Sequence, residues 1–338
     1  DLSSNLKEVY NANAVVLVPG GGTFAMEAVA RQFGIDASVL VIRNGWFSYR
    51  WSQIFETSSN ARSITVLKAR MVGNETLAPF RPADVDDVVE KIKADKPNIV
   101  FAPHVETSAG VILPDDYIKK IATAAHEVGA LMVLDCIASG CVWVDMKDCG
   151  VDVLISAPQK GWSASPSAGL VMLSERAVSQ IEKTNSDSFA IDLKKWLSIM
   201  QTYESGGHAY HATMPTDALR SFRDTVLETR EFGFDRLKQA QWELGTKVRD
   251  YLSQKDVKSV AADGFKAPGV VVSYTHDNEI QNGSKFAAKG MQIAAGVPLA
   301  CDEPEEFKTF RLGLFGLDKL YNVDGTFKRL TTVLDQVL

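Results

Sequence analysis

The sequence predicts an α/β protein built on a mostly parallel sheet covered by helices on both faces. Three observations carry this reading. Strand patterns alternate with helix patterns over the first half of the chain. The strand patterns are nearly continuous apolar runs, as expected of strands buried on both sides. Irregular loops rich in polar chemistry follow several strand ends, where open α/β sheets place their ligands.

The elements follow in order. Residues 14–19, AVVLVP, form an apolar run closed by Pro19 and three glycines, and a helical pattern runs from Thr23 to about Phe33. VLVIRN at 39–44 and SITVLKA at 63–69 are the next strands. VDDVVEKIKAD at 85–95 reads as a helix and NIVFAP at 98–103 as a strand. A helical period spans 115–128 and ends at Gly129, before strands at 131–135, 151–157 and 168–174. From Ala218 to about Leu252 the chain is charged and helical, with Phe222, Leu227, Phe232, Phe234 and Leu237 available for an apolar face. VVVSY at 270–274 and FRLGLF at 310–315 are strands of a smaller second domain, and KGMQIAAG at 289–296 and the last sixteen residues read as helical. The expected division is 1–220 for a large ligand-binding domain and 221–338 for a linking helix and small C-terminal domain.

The chain has 338 residues, enough for a substantial core. A formal net charge of -6 argues against a nucleic-acid surface, which needs concentrated positive charge. No run of about 18 apolar residues suggests a membrane span. Cys136, Cys141, Cys149 and Cys301 form no Cys-x-x-Cys pair and read as small apolar residues, so neither a disulfide nor a metal is expected and a cytoplasmic location fits. The sequence opens without an initiator Met, and a further N-terminal piece is expected to precede it.

Six features carry chemistry. Gly20-Gly21-Gly22-Thr23 sits between a strand and a helix, where free N–H groups and the helix dipole attract an anion. A glycine turn with a Thr cap is the plain alternative, and the absence of Gly-x-Gly-x-x-Gly argues against a dinucleotide. Asp135 ends the strand LMVLD; a buried carboxylate needs a partner, and a pyridinium nitrogen is one. It could equally cap a turn. Lys160 in SAPQKGW lies between apolar strands, where partial desolvation lowers an amine's pKa and frees it for Schiff-base chemistry. HVETSAG at 104–110 offers His104 to stack on a flat ring and Thr107 to bond a ring hydroxyl, with Glu106 as a structural acceptor. GGHAYHATMP at 206–215 clusters Tyr210, His211 and Thr213 before the long helix. Arg311, inside an apolar strand, carries a fork that matches a carboxylate, or serves a structural ion pair. In this order the six supply each part that pyridoxal 5'-phosphate requires.

With GGGTFAMEA, IRNGWFSYR, HVETSAG, LMVLDCIAS, SAPQKGW, YHATMP and FRLGLFG, the chain resembles the class V aminotransferases of fold type I over residues 20 to 316. The resemblance lies in the alanine/serine–glyoxylate and 2-aminoethylphosphonate–pyruvate transaminase neighbourhood. It implies a large domain with a mostly parallel seven-stranded sheet between helices, plus a smaller C-terminal α/β domain. Lys160 would hold pyridoxal phosphate as a Schiff base, and Asp135 would pair with its ring nitrogen. Ile137 would pack under the ring and His104 stack over it. Thr107 would reach the ring hydroxyl, and Gly22, Thr23 and Gln159 would serve the phosphate. Tyr210 and Thr213 would reach the phosphate site of a neighbouring subunit, which implies a homodimer with shared active sites. Arg311 would bind the substrate α-carboxylate. Ala212 and SASPSAG at 163–169 depart from the family pattern, and the family's PGP-type opening segment is not found.

The expected activity is transfer of an amino group from a small amino acid, alanine, serine or similar, to glyoxylate or pyruvate. The alternatives are a 2-aminoethylphosphonate–pyruvate transaminase and a lyase or desulfurase using the same cofactor. A desulfurase needs a mobile cysteine, for which Cys301 is the candidate. A non-catalytic scaffold is opposed by Lys160 and Asp135, and an NAD-dependent oxidoreductase by the glycine pattern.

Overall fold

The computed structural model describes residues 1–338. Seven strands make the main sheet: β1 (Ala14–Pro19), β2 (Ser38–Arg43), β3 (Ser63–Lys68), β4 (Ile99–Pro103), β5 (Leu131–Asp135), β6 (Val153–Ser156) and β7 (Ala168–Leu173). Their order across the sheet is β1-β7-β6-β5-β4-β2-β3. From β6 to β3 all neighbours are parallel, whereas β7 runs antiparallel to both β1 and β6. An antiparallel neighbour needs no crossover helix. The link from β6 to β7 therefore stays a loop at the sheet's edge of chemistry, and Lys160 sits on it.

Burial explains the apolar runs. Every residue of β4, β5, β6 and β7 is buried, while the edge strand β3 is half-exposed and correspondingly mixed in composition. The helices α1 (Leu2–Tyr10), α2 (Gly22–Phe33), α3 (Trp46–Ser58), α4 (Val85–Asp95) and α5 (Asp115–Glu127) alternate with these strands. In α5, Asp115 and Asp116 occupy the first turn, where the helix dipole favours negative charge. Ile118, Ile121, Ala122 and Ala125 fall on one face and are buried as the helix packs on β5. Each of the two isoleucines contributes about 1.5–3 kcal/mol by leaving water.

Then come α6 (Leu193–Glu204), α7 (Thr216–Phe232) and α8 (Phe234–Gln254). The single long helix expected over 218–252 is thus two. The break is Gly233, whose φ of 103° no continuous helix allows and which other residues rarely adopt. The smaller domain holds β8 (Val270–Tyr274), β9 (Ala294–Ala295) and β10 (Thr309–Gly313) in the order β8-β10-β9, all antiparallel, with α9 (Val323–Val337) packed on α8. Residues 289–296 are not helical as expected. Ala294 and Ala295 instead pair with Arg311 and Phe310, so the open edge of β10 overrides the alanines' helical propensity.

One half-buried arginine stitches the two parts. Arg249 on α8 donates from Nη2 to the carbonyls of Gly110 at 3.2 Å, Ala267 at 2.8 Å and Val270 at 3.0 Å. It has no carboxylate partner, and burial pulls its pKa down to about 10. No helix is long and apolar enough to cross a membrane.

Candidate active site

The ends of β1, β2, β4, β5 and β6 converge on one cavity of about 270 Å³. Gly22, Thr23, Thr107, Asp135, Ile137, Gln159 and Lys160 all line it. Gly22 and Thr23 open α2, so their N–H groups have no partner within the helix. Glycine is required at 22 by a close approach: a Cβ there would lie 2.5 Å from Ile137 Cδ1. The bare backbone lets Ile137 cross beneath the cavity.

Asp135 is the last residue of β5, in register with Pro103 of β4 and Ile155 of β6. One carboxylate oxygen accepts the N–H of Ile137 at 2.9 Å, and the other takes no hydrogen bond. Burial, only partly offset by that bond and reinforced by the nearby charge of Glu106, pushes the carboxyl pKa up to about 7. Lys160 Nζ has no hydrogen bond and stands 5.9 Å from the centroid of the Phe315 ring. Burial lowers its pKa, and the positive charges of Arg311 and Arg50 lower it further. Gln159 Oε1 is buried without a partner. An unpaired carboxylate oxygen, a desolvated amine and free helix-start N–H groups face one space, each waiting for a ligand atom of opposite character.

Among the lining residues to which the sequence assigns no role are Phe47 and Arg50. Both lie in the stretch IRNGWFSYR. The signal was an aromatic and a cation just past a strand end, at the start of a helix. Glu106 explains how they are held. Its carboxylate is wholly buried and accepts from Phe47 N at 3.2 Å, Ser48 N at 2.9 Å and Ser48 Oγ at 2.7 Å, which caps α3 from outside the helix. It also accepts from Ser108 N at 3.1 Å and Ser108 Oγ at 2.8 Å. Ser108 Oγ in turn accepts from Trp46 N at 2.9 Å.

Four expected residues lie outside this lining. His104 does not face the cavity. Its side chain is 1% exposed, its Nδ1 meets Ser139 Oγ at 2.7 Å, and it lines a separate cavity with Lys238 and Trp242. Burial and the charge of Lys238 push its pKa down to about 3, so the ring is neutral. His104 contributes no atom to the cavity lining; the aromatic rings there are those of Phe24 and Phe47. Arg311, on β10, donates from Nε to the Ala295 carbonyl at 2.8 Å, with its guanidinium carbon 5.6 Å from the Phe47 ring centroid. Tyr210 and Thr213 are on an irregular loop, their hydroxyls 3.4 Å apart, and Tyr210 is 71% exposed.

The comparisons agree with this architecture. The family model described as "Aminotransferase class-V" matches residues 3–304. The chain is 24% identical over 255 residues to alanine–glyoxylate aminotransferase 1 of Saccharomyces cerevisiae, covering 72% of this chain and 62% of that enzyme. It is 26% identical over 315 residues to the 2-aminoethylphosphonate–pyruvate transaminase of Paraburkholderia phymatum, covering 91% and 80%. Against the crystal structure of alanine–glyoxylate aminotransferase from Nostoc sp. it superposes with a TM-score of 0.82 at 20% identity, covering 99% of this chain and 85% of that one.

Pyridoxal phosphate fits the residues present. The free N–H groups of Gly22 and Thr23 and the open space beside Gly21 suit the phosphate, while the free oxygen of Asp135 and the unbonded amine of Lys160 suit a ring nitrogen and a carbonyl carbon. The chain belongs to the class V aminotransferases, fold-type I enzymes whose cofactor is pyridoxal 5'-phosphate.

Proposed function

We propose that this enzyme transfers an amino group from a small amino acid, alanine, serine or similar, to glyoxylate or pyruvate. The observation that carries the reading is the pairing, in one cavity, of an amine at Lys160 whose pKa burial lowers with a buried carboxyl at Asp135. When bound, pyridoxal phosphate supplies an electron-withdrawing ring that stabilises negative charge at the substrate α-carbon. Lys160 Nζ would hold the cofactor carbonyl, and the same amine would serve as the base for the substrate α-proton. Desolvation and two nearby guanidinium groups keep that amine able to accept it. The free oxygen of Asp135 would hold the proton on the ring nitrogen. Thr107 would bond the ring hydroxyl, Ile137 and Phe47 would support the ring, and Arg311 would bind the carboxylates of both substrates.

Assembly as a homodimer with shared sites is the reading supported by Tyr210 and Thr213, which are exposed away from their own cavity, and by Phe189 beside them at 79% exposure with its ring 4.7 Å from that of His211. A cytoplasmic location is the reading supported by four unpaired cysteines. We divide the chain at 220/221, just inside α7. A 2-aminoethylphosphonate donor is the second reading, on the likeness to the Paraburkholderia enzyme.

Two measurements test this. Borohydride reduction should lock a pyridoxyl group onto Lys160, identified by peptide mass; a label elsewhere or none would refute the anchoring role. Enzyme mixed with L-alanine, L-serine or 2-aminoethylphosphonate in the absence of an acceptor should convert stoichiometrically to the pyridoxamine form. Repeated release of ammonia would instead identify a lyase.

A further inference from the structure

A phosphate monoester carries about -1.5 to -2 charges near neutral pH, and burying such a group requires compensation. The cradle at the start of α2 offers neutral donors: two backbone N–H groups, the Thr23 hydroxyl and the Gln159 amide. The helix dipole adds only about half a positive charge. Two cations line the cavity, Lys160 and Arg50, and Lys160 is committed to the cofactor carbonyl.

We propose that Arg50 is the counter-charge for the cofactor phosphate, supplied by the same chain that holds the cofactor through Lys160. The proposal rests on the pyridoxal-phosphate assignment of the cavity. The guanidinium makes one hydrogen bond, from Nη1 to Thr23 Oγ1 at 3.0 Å, which sets it beside the cradle. Because Thr23 Oγ1 accepts that bond, its own hydrogen is left to point at an anion. Arg50 takes no carboxylate partner, unlike Arg31, which bonds Glu27 and Asp187, and Arg230, which bonds Glu8. Its remaining N–H donors are therefore uncommitted. Its position is fixed from behind: the guanidinium carbon lies 5.5 Å from the Phe47 ring centroid, and the α3 turn that carries both is capped by buried Glu106. The rival use of this cation, binding a substrate carboxylate, is disfavoured by its contact with Thr23, at the phosphate end of the cavity.

The experiment is equilibrium dialysis of the full-length protein with pyridoxal phosphate and, separately, with phosphate-free pyridoxal, bound cofactor being read by absorbance. Arg50→Met is expected to weaken pyridoxal phosphate by about ten- to a hundredfold, the worth of a lost charge-assisted bond, and to leave pyridoxal within about twofold. Arg50→Lys should recover part of the loss. Equal weakening of both ligands would overturn the proposal, because Arg50 would then act through the ring or the fold. Unchanged affinity for pyridoxal phosphate with a raised KM for the amino acid would also overturn it, in favour of a substrate site. If Arg50→Met does not fold, Arg50→Gln and Arg50→Lys carry the same ratio. Borohydride labelling of Lys160 in the wild-type protein separates the two ideas: no label there removes the cofactor assignment, whereas a label there with undiminished discrimination in the variants removes only the role of Arg50.

Discussion

Glu106 takes both the amide N–H and the hydroxyl of Ser48, at 2.9 and 2.7 Å, although the two residues are 58 positions apart. The loop after β4 and the start of α3 are thereby fixed to each other, and with them Thr107 on one wall of the cavity and Phe47 and Arg50 on another. Glu106→Ala would leave the N–H groups of Phe47, Ser48 and Ser108 unpaired in the interior. A loss of about 2–4 kcal/mol in urea denaturation is expected. Glu106→Gln should lose less, since one oxygen remains an acceptor while its NH₂ faces donors. A wild-type denaturation midpoint in both variants would show that the cap is dispensable.

Asp135 gives the cofactor-free protein a distinctive pH response. Its folded pKa of about 7 is above the unfolded carboxyl value of about 3.9. Between those values the folded state binds more protons, so the contribution of Asp135 to stability is fully present below about pH 4 and is lost as pH rises through 7. Asp135→Asn is expected to remove that slope and to stabilise the cofactor-free protein at pH 8 by on the order of 2–4 kcal/mol. The same variant should lose most of its transaminase activity, because the ring nitrogen no longer faces a carboxylate. Urea titrations at pH 5 and pH 8, with and without cofactor, check both halves.

Gly22→Ala puts a methyl group into the space of Ile137 Cδ1. The isoleucine must turn toward the cavity, and cofactor affinity is expected to fall about tenfold with about 1–2 kcal/mol of lost stability. Ile137→Val removes the clashing atom. The double variant should therefore bind cofactor better than Gly22→Ala alone, and simple additivity of the two losses would contradict the packing described.

Cys301 is not a mobile nucleophile. It is 4% exposed, its Sγ lies 3.5 Å from the Arg43 carbonyl oxygen, and burial pushes its pKa up to about 12. In the native protein at pH 8 a thiol reagent should leave it unmodified for as long as the fold persists. Cys301→Ala should retain activity toward amino acids; a selective loss of sulfur release from cysteine would restore the desulfurase reading.

The sheet was legible because each strand is a buried apolar run and each loop after it is not. Lys160, Asp135 and the glycine cradle were legible because chemistry of that type is costly to bury idly. What escaped was direction. His104 follows β4 as a cavity residue would, but its N–H bonds the Asp135 carbonyl at 2.8 Å and its ring turns to Ser139, a tertiary choice no spacing encodes. Phe47 and Arg50 stand in the stretch IRNGWFSYR, and which of its side chains face inward depends on the cap from Glu106. Helix propensity failed at Ala294 and Ala295 for a similar reason, since an unpaired strand edge lay within reach. Gly233 could have been read as the break in the long helix, but a lone glycine in a helical pattern costs only about 1 kcal/mol and is often tolerated.

The pairing of β1 with β7 has a consequence for synthesis. Strand β1 finds its only sheet neighbour, Ala168–Leu173, about 150 residues downstream. Until that partner leaves the ribosome, residues 14–19 have no edge to join, and the glycines that follow them have no wall to face. Cofactor capture is therefore a late event in the life of the nascent chain, and truncations ending before residue 168 should emerge with residues 14–19 as an unsatisfied hydrophobic strand, a natural target for chaperones.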